Sequence, residues 1–219
     1  MRKIRAATFV SMDGVLQGPG GPEEDPSGGF KFGGWNFPYW DETLDGLMAQ
    51  AMGQDYDLLL GRKTYEIFAA FWPFQDDEIG QAFNAIDKYV VAGADTPMTW
   101  AGSHRLEGDA AKAVADLKAS GDRDLLIQGS SRLIQTLMTA DLIDEMTTLV
   151  FPVVLGTGKR LFDPTGHGRA WTLQESRSTP KGVVVNRYGR GGDVPTGDFA
   201  GEAPSDLERA RQARMARED

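Results

Sequence analysis

Three short turns of small residues follow predicted strands. They are Gly61-Arg62-Lys63-Thr64, Ala92-Gly93-Ala94 and Gly129-Ser130-Ser131-Arg132. Glycine lets a ligand approach the backbone closely, and the free N–H groups at a helix start favour anions. A single turn of this kind is explained by the steric needs of a strand-to-helix connection. Three at successive strand ends favour a ligand with several phosphates, such as a nucleotide, lying across the edge of the sheet.

Basic side chains in and near these turns are suited to bind phosphate. Arg62, Lys63 and Arg132 can form charge-assisted hydrogen bonds to phosphate oxygens. Lys159 and Arg160 follow Gly156-Thr157-Gly158, and they could bind a substrate phosphate. The favoured interpretation is that these two residues lie at the solvent-exposed tip of a hairpin.

Asp41 is the predicted acid–base residue. It follows an aromatic cluster at residues 35–40, and a carboxyl group beside an apolar wall has a raised pKa that suits proton donation. The alternative is that Asp41 caps the next helix. Asp13 is expected to stabilise the turn after the first strand. Together with Trp35 and Phe37, it is also a predicted substrate contact.

Other catalytic and metal-binding patterns are absent from the sequence. There is no GxxxxGK[ST], GxGxxG, GxSxG or HExxH motif. There is no cysteine, which excludes disulfides and thiolate metal sites. The two histidines, His104 and His167, lie in polar stretches and are interpreted as surface residues. We therefore predict no metal site.

Composition places the chain among globular proteins. Of its 219 residues, 41% are hydrophobic and 25% are charged, and the net charge is −9. The acidic balance disfavours binding to a nucleic acid backbone. No secretory segment is recognised after Met1, and no apolar run approaches the ~20 residues of a membrane span. These features predict a cytoplasmic protein that binds neither nucleic acid nor membrane.

The order of predicted elements indicates an α/β fold. Short apolar strands alternate with helices up to residue 155, and residues 171–178 and 183–188 form a hairpin. This order predicts a mixed, mostly parallel sheet with helices on both faces and an antiparallel C-terminal hairpin. The predicted domain covers residues 1–190. Residues 191–219 are expected to be a Gly/Pro linker and a short polar helix, either frayed or packed on a partner subunit.

Several motifs, taken in order, resemble those of a known family. Over residues 2–190 they resemble the dihydrofolate reductase-like superfamily, and specifically the reductase (C-terminal) domain of the bifunctional riboflavin-biosynthesis deaminase–reductase. The motifs are Ser11-Met12-Asp13-Gly14-Val15, Gly61-Arg62-Lys63-Thr64-Tyr65-Glu66, Lys88-Tyr89-Val90-Val91, Ile127-Gln128-Gly129-Ser130, Leu142-Ile143-Asp144-Glu145 and Pro152-Val153-Val154-Leu155-Gly156 with the following Gly158-Lys159-Arg160-Leu161-Phe162.

This resemblance implies a three-layer dihydrofolate reductase-like fold and NADPH as hydride donor. NADH stays possible, because Ala92-Gly93-Ala94 offers no charge for a 2′-phosphate. Trp35-x-x-Pro38 followed by Asp41 resembles the family's W-x-x-P segment and its acidic residue, with one extra residue between Pro38 and Asp41. The residues implied to bind the cofactor are Leu16, Gln17, Gly61, Arg62, Lys63, Thr64, Val91, Ala92, Gly93, Gln128, Gly129, Ser130, Ser131, Arg132 and Leu133.

The implied activity is hydride transfer to a pyrimidine- or pteridine-like small molecule. It is similar to that of 5-amino-6-(5-phosphoribosylamino)uracil reductase in riboflavin biosynthesis, whose relatives imply a homodimer. One alternative is a dihydrofolate reductase, which needs a carboxylate facing the pterin. The other is a non-catalytic module that binds a nucleotide or flavin, since fold alone does not fix function.

Overall fold

A computed structural model describes residues 1–162, 166, 168–198 and 203–218. The strands are β1 Ile4–Ser11, β2 Tyr56–Gly61, β3 Lys88–Val91, β4 Ser103–Leu106, β5 Asp124–Ile127, β6 Glu145–Phe151, β7 Ala170–Ser178 and β8 Val184–Gly192. The helices are α1 Glu42–Met52, α2 Arg62–Phe71, α3 Glu78–Ala85, α4 Ala110–Ala119, α5 Ser131–Thr139 and α6 Asp206–Met215.

All eight strands form one sheet in the order β4-β3-β2-β5-β1-β6-β8-β7. Strands β1 to β6 pair in parallel, while β8 pairs antiparallel with both β6 and β7. After β1, the strands β2, β3 and β4 lead to one edge of the sheet. Strand β5 then returns to the centre, between β2 and β1. The mixed, mostly parallel sheet and its antiparallel hairpin are confirmed.

The helices cover both faces of this sheet. Successive strand residues point to opposite faces, and in β2 Leu59 packs in the cluster that holds Leu133 of α5 and Val114 of α4. Its neighbours Leu58 and Leu60 pack in the cluster of α2 and α3 on the other face. The nearly continuous apolar sequence of β2 follows from burial on both sides. The predicted layers are confirmed.

Several boundaries differ from the sequence prediction. Strand β6 ends at Phe151 rather than residue 155, because Pro152 has no N–H to continue the ladder. Strand β4 was not predicted, since Ser103–Leu106 is a short edge strand without β-branched residues. Strand β8 extends to Gly192, two residues beyond the predicted domain end.

The C-terminal segment contains the polar helix that the sequence predicts. Ser205 caps α6 by accepting a hydrogen bond from the Glu208 N–H at 3.2 Å, and no α6 side chain is buried. Residues 199–202 and 219 of this segment lie outside the described residues, and its role stays a prediction. No helix in the described ranges combines the length and apolar character needed to cross a bilayer.

Candidate active site

A cavity of about 1220 Å³ opens at the carboxyl ends of the central strands. It is lined by residues 7–9 of β1, the first turns of α2 and α5, residues 16–25 and the inner faces of α1, α2 and α3. In open α/β sheets, ligands bind at this edge, where neighbouring connections leave in opposite directions. The cavity is therefore the candidate active site.

Two of the helices that meet the cavity begin without a side-chain cap. The starts of α1, α3 and α4 are capped by Asp41, Asp77 and Asp109, each accepting a backbone N–H bond. Helices α2 and α5 instead follow Gly61 and Ser130, which make no side-chain cap bond. The free N–H groups of a helix start carry partial positive charge and bind anions. Both uncapped starts line the cavity.

Ser130 joins these two helix starts. Its hydroxyl accepts the Gly61 N–H at 2.9 Å and donates to Thr64 Oγ1 at 2.7 Å. Ser130 has φ +64°, a left-handed conformation that costs a non-glycine residue roughly 1–2 kcal/mol. Two hydrogen bonds of about 1 kcal/mol each offset that cost. The preceding Gly129 has φ +117°, which favours glycine, and it also lines the cavity.

Two lysines converge beside the cavity. The ammonium groups of Lys63 and Lys159 lie 3.3 and 2.9 Å from the Ser27 hydroxyl. The neighbouring Lys159 ammonium lowers the pKa of Lys63. Asp25 forms an ion pair with Lys159. Burial alone would raise the pKa of Asp25, but Lys159 and Ser27 lower it below the ordinary value. One carboxylate faces two ammonium groups, so an anionic ligand would be favoured here.

Glu24 lies next to this cluster and has a different environment. It lines the cavity, and its carboxylate accepts the Gly20 N–H. Burial raises the pKa of Glu24, although hydrogen bonds from backbone N–H groups partly oppose that effect. No lysine or arginine of the described chain forms an ion pair with it. Glu24 is therefore easier to protonate than Asp25.

Gln17 fixes the loop of residues 18–34 over the cavity. Its amide nitrogen donates to the carbonyls of Asp25 and Ser27 at 2.9 and 2.8 Å, and its Oε1 accepts the Lys159 N–H at 2.9 Å. The Trp35 indole donates to the Gln17 carbonyl at 2.8 Å. One buried glutamine thus ties the long Gly/Pro-rich loop to Lys159, in the segment that follows β6.

The far end of the cavity is apolar, and we call it the apolar chamber. Its walls come from one face each of helices α1, α2 and α3. Residues three or four positions apart share a helix face, which gives each helix an apolar stripe. The chamber residues are Met48, Met52, Ile67, Phe68, Phe71, Ile79 and Phe83.

Two buried polar atoms at the cavity have no hydrogen-bond partner in the described part of the chain. They are Thr8 Oγ1 and Asn36 Oδ1, in residues that are each 3% exposed. Both residues contribute to the cavity lining. A buried polar atom left unpaired costs about 1–3 kcal/mol, and such atoms in a folded protein are typical of strained, catalytic or ligand-binding positions.

Most of the predicted cofactor residues come together at the cavity. Phe37, predicted to contact substrate, also lines it, with its side chain 60% exposed. The predicted cofactor residues in the lining are Leu16, Gln17, Gly61, Arg62, Lys63, Thr64, Gln128, Gly129, Ser130, Ser131, Arg132 and Leu133.

Other predicted residues lie outside the lining. Strand β3 ends at Val91, and Ala92 and Gly93 follow it. In the turn that comes next, the Thr96 N–H donates to the Gly93 carbonyl at 3.1 Å. Trp35 is buried with its ring against Phe151, at a centroid distance of 5.3 Å. These four residues do not line the cavity, and their roles in binding cofactor or substrate stay predictions.

Asp41 and Asp13 also lie outside the lining, and both accept hydrogen bonds from backbone N–H groups. Asp41 accepts the Leu44 N–H at 2.9 Å as the cap of α1, which was the alternative interpretation. Asp13 accepts the N–H groups of Leu155 and Gly156 at 3.0 and 2.9 Å. Burial alone would raise the pKa of Asp13, but these bonds and one from Ser11 lower it to about 2. Neither carboxyl group is aimed at a ligand in the cavity.

Several cavity residues were missed in the sequence. Lys159 was interpreted as part of a solvated tip, although it lines the cavity. Asn36 also lines the cavity, but it lies within the aromatic cluster and was not among the predicted site residues. The spacing of Thr64, Ile67 and Phe68 could have indicated a helix face directed to the cavity, because these positions share one side of α2.

The histidines and acidic residues form no metal-type cluster in the described ranges. His104 pairs with Asp87 at 3.0 Å and stacks on Tyr89, with half of its side chain exposed. This agrees with a surface histidine. His167 lies outside the described residues.

Two solved structures share this fold. The crystal structure of a putative riboflavin biosynthesis protein from Shewanella sp. PV-4 aligns with a TM-score of 0.60 and 22% identity, covering 87% of this chain and 99% of the other. That of a pyrimidine reductase-like protein from Corynebacterium diphtheriae aligns with a TM-score of 0.59 and 14% identity, covering 88% and 93%. At these identities the likeness shows the fold alone.

Sequence comparison finds relatives in Bacillus subtilis (strain 168). The uncharacterized protein YyaP is 25% identical over 200 residues, which cover 85% of this chain and 94% of YyaP. The uncharacterized protein YwjB is 33% identical over 110 residues, covering 48% and 57%. The family model of the RibD C-terminal domain matches residues 2–185. The chain therefore belongs to the RibD C-terminal domain family.

Proposed function

We propose that this chain is an NADPH-dependent reductase that transfers hydride to a pyrimidine- or pteridine-like ring. Family membership supports a reductase-like function. The observation that carries the proposal is that two uncapped helix starts meet in one cavity. A dinucleotide has phosphates for these starts, and the adjoining chamber can take the ring that it reduces.

The residues at the cavity fit such a cofactor. Its phosphates would lie against the free N–H groups at the starts of α2 and α5, near Lys63, Lys159 and Arg132. Arg62 also lines the cavity, but it is already paired with Glu66 at 2.8 Å, and about half of each side chain is exposed. The crowding of Lys63 and Lys159 would be relieved by an additional phosphate, which favours NADPH over NADH.

The chain's own residues would orient the reactants and exclude water. A reduced nicotinamide, when bound, supplies the hydride. Gln17 holds the loop of residues 18–34 beside the cavity, Leu16 lines the cavity, and the apolar chamber would keep a ring substrate away from solvent. Asp41, predicted as the donor, has its Oδ1 bound by the α1 backbone.

We also propose a cytoplasmic homodimer, as the resemblance implies. The β7–β8 hairpin lies at the sheet edge, and it exposes 53% of Leu173. Trp171 and Tyr188 of the same hairpin pack partly against the core. Light scattering on the full chain and on a chain ending at Gly191 tests the dimer and any contribution of the tail.

Calorimetry with NADPH and NADH tests the cofactor. We expect NADPH to bind with a micromolar dissociation constant and NADH more weakly, because NADH lacks the 2′-phosphate. Absorbance of the nicotinamide is then followed with pterin and pyrimidine substrates. Binding without oxidation would favour a non-catalytic module. The absence of heat with either nucleotide at millimolar concentration would refute the proposal.

A further inference from the structure

The cavity changes its chemical character along helix α2. Ile67, Phe68 and Phe71 share the helix face that lines the cavity, and Lys63 lies in the first turn. Eight residues of α-helix rise about 12 Å. The chamber therefore begins about one helical turn beyond Lys63, at Ile67, and reaches about two turns beyond it, at Phe71.

Charged side chains line only one part of the cavity. The stripes from α1 and α3 are apolar, and so is the stripe of α2 after its first turn. A phosphate or carboxylate in the chamber would lose its water without gaining a cation or a free N–H group. The charged lining residues of the described chain are Glu23, Glu24, Asp25, Arg62, Lys63, Arg132 and Lys159.

A neutral polar group is nevertheless available at the cavity. Asn36 is 3% exposed, and its Oδ1 has no partner in the described part of the chain. An amide has both a donor and an acceptor and matches a carbonyl or N–H edge of an uncharged ring. A carbonyl or imine edge can accept from the Asn36 Nδ2–H group, and only an N–H edge satisfies the Oδ1, which a purely apolar ligand leaves unpaired.

We infer that the apolar chamber takes an uncharged, planar and mainly apolar ring with a carbonyl or imine edge and no phosphate or carboxylate. The inference rests on the proposed function, in which this ring is reduced. A quinone, which is neither a pyrimidine nor a pteridine, is a simple test ring of this class: one hydride and one proton are added to give the hydroquinone, and the reduced pyridine nucleotide becomes oxidised. Among ring substrates, the inference excludes a phosphoribosyl-substituted pyrimidine.

A pair of matched probes tests this charge selectivity. The full-length chain is titrated with 1,4-naphthoquinone and with 1,4-naphthoquinone-2-sulfonate, which share a ring and differ by one anionic group. Each titration is run with and without saturating NADP⁺. We expect the neutral ring to bind about 30-fold more tightly or better, because the chamber has no partner for the sulfonate. Equal or tighter binding of the sulfonate, or no binding of either at millimolar concentration, overturns the inference.

Matched variants on α2 locate the effect. Ile67→Lys introduces an ammonium group into the chamber and should shift the ratio of the two dissociation constants at least 10-fold toward the sulfonate. Ala70→Lys adds the same charge on the exposed side of α2 and should keep the original ratio. Equal shifts in both variants would contradict the chamber assignment. If Ile67→Lys fails to fold by circular dichroism, Met48→Lys on α1 replaces it.

The outcome is distinguishable from a failure of the proposed function. Calorimetry with NADPH alone tests the cofactor, and the ring titration without nucleotide tests the chamber. A chain that binds NADPH but shows no preference for the neutral ring contradicts only the substrate class. A chain that prefers the neutral ring but does not bind NADPH contradicts only the cofactor.

Discussion

The two ends of the parallel strands differ in how their polar groups are satisfied. The buried charged residues of the described chain, Arg2, Asp57, Lys88 and Lys118, all lie at the amino ends. Each is paired: Asp57 with Arg2, Lys118 with Asp144, and Lys88 with the carbonyls of residues 84 and 101 at 3.1 and 3.0 Å.

The carboxyl ends hold several polar groups without a partner around one cavity, whereas the amino ends of the described strands have an isolated one, Ser103 Oγ at the start of β4. Helices α2 and α5 start without caps, two lysines crowd one hydroxyl, and Asn36 Oδ1 lacks a partner. Polar groups left unsatisfied around a cavity are typical of sites that a ligand completes. The difference teaches that one end of the sheet stabilises the fold and the other is prepared to bind. Changes at the amino end should therefore affect unfolding, and changes at the carboxyl end should affect binding.

The largest expected effect is on stability, from Asp57→Asn. Asp57 is 4% exposed and pairs with the buried Arg2 and, at 3.2 Å, with Arg123. Losing its charge leaves the Arg2 guanidinium buried without a carboxylate, which should lower the free energy of unfolding by about 3–5 kcal/mol. Urea unfolding measures the loss, and NADPH affinity should be unchanged. The exposed Asp116→Asn serves as control and should change the urea midpoint little. If Asp57→Asn lowered the free energy of unfolding only slightly, the amino ends of the strands would not have the stabilising role assigned to them.

The next effect is a pH dependence caused by Lys88. Burial lowers the pKa of Lys88 to about 8, against 10.5 for the ordinary side chain. The unfolded chain therefore binds more protons between pH 8 and 10.5, and the free energy of unfolding should rise with pH across that window. The 2.5-unit difference corresponds to about 3 kcal/mol. Urea unfolding of wild type and Lys88→Met at pH 7.5 and 10 measures it. Parallel pH profiles for the two proteins would rule out Lys88 as the cause.

At the carboxyl ends, Ser130→Asp should weaken NADPH binding about 100-fold with little change in melting temperature. The new carboxylate would occupy N–H groups left free at the starts of α2 and α5 and would repel phosphate. Ser130→Asn is the matched control, since asparagine and aspartate both tolerate a left-handed backbone. Calorimetry separates the two variants. Equal affinities in Ser130→Asp and Ser130→Asn would show that the uncapped helix starts do not hold the phosphates.

Much of the fold was predictable, because it depends on local patterns. Apolar runs as short as Leu58-Leu59-Leu60 indicate strands buried on both faces, and the following Gly61 marks the strand end. The hairpin was predictable from its alternation and its turn at Pro180. Strand β4 was not, because an edge strand of polar residues has no distinctive period.

The site was predictable only in part. The turns at Gly61 and Gly129 were found because parallel strands bring their carboxyl ends to one edge. The side-chain direction of Asp41 was not, since a helix cap and a cavity acid have the same local sequence. Lys159 could not be recognised either, because its partner Asp25 is 134 positions away in the chain.

The sequence by itself determined which segments form strands and helices and where the strand-end turns fall, since these depend on periodicity and turn chemistry within a few residues. The tertiary structure alone decided that Asp41 holds a helix start, that Lys63 and Lys159 meet, and that α1, α2 and α3 enclose an apolar chamber. The physical reason is that a helical period shows which residues share a face, whereas the groups opposite that face are brought there by contacts between distant parts of the chain.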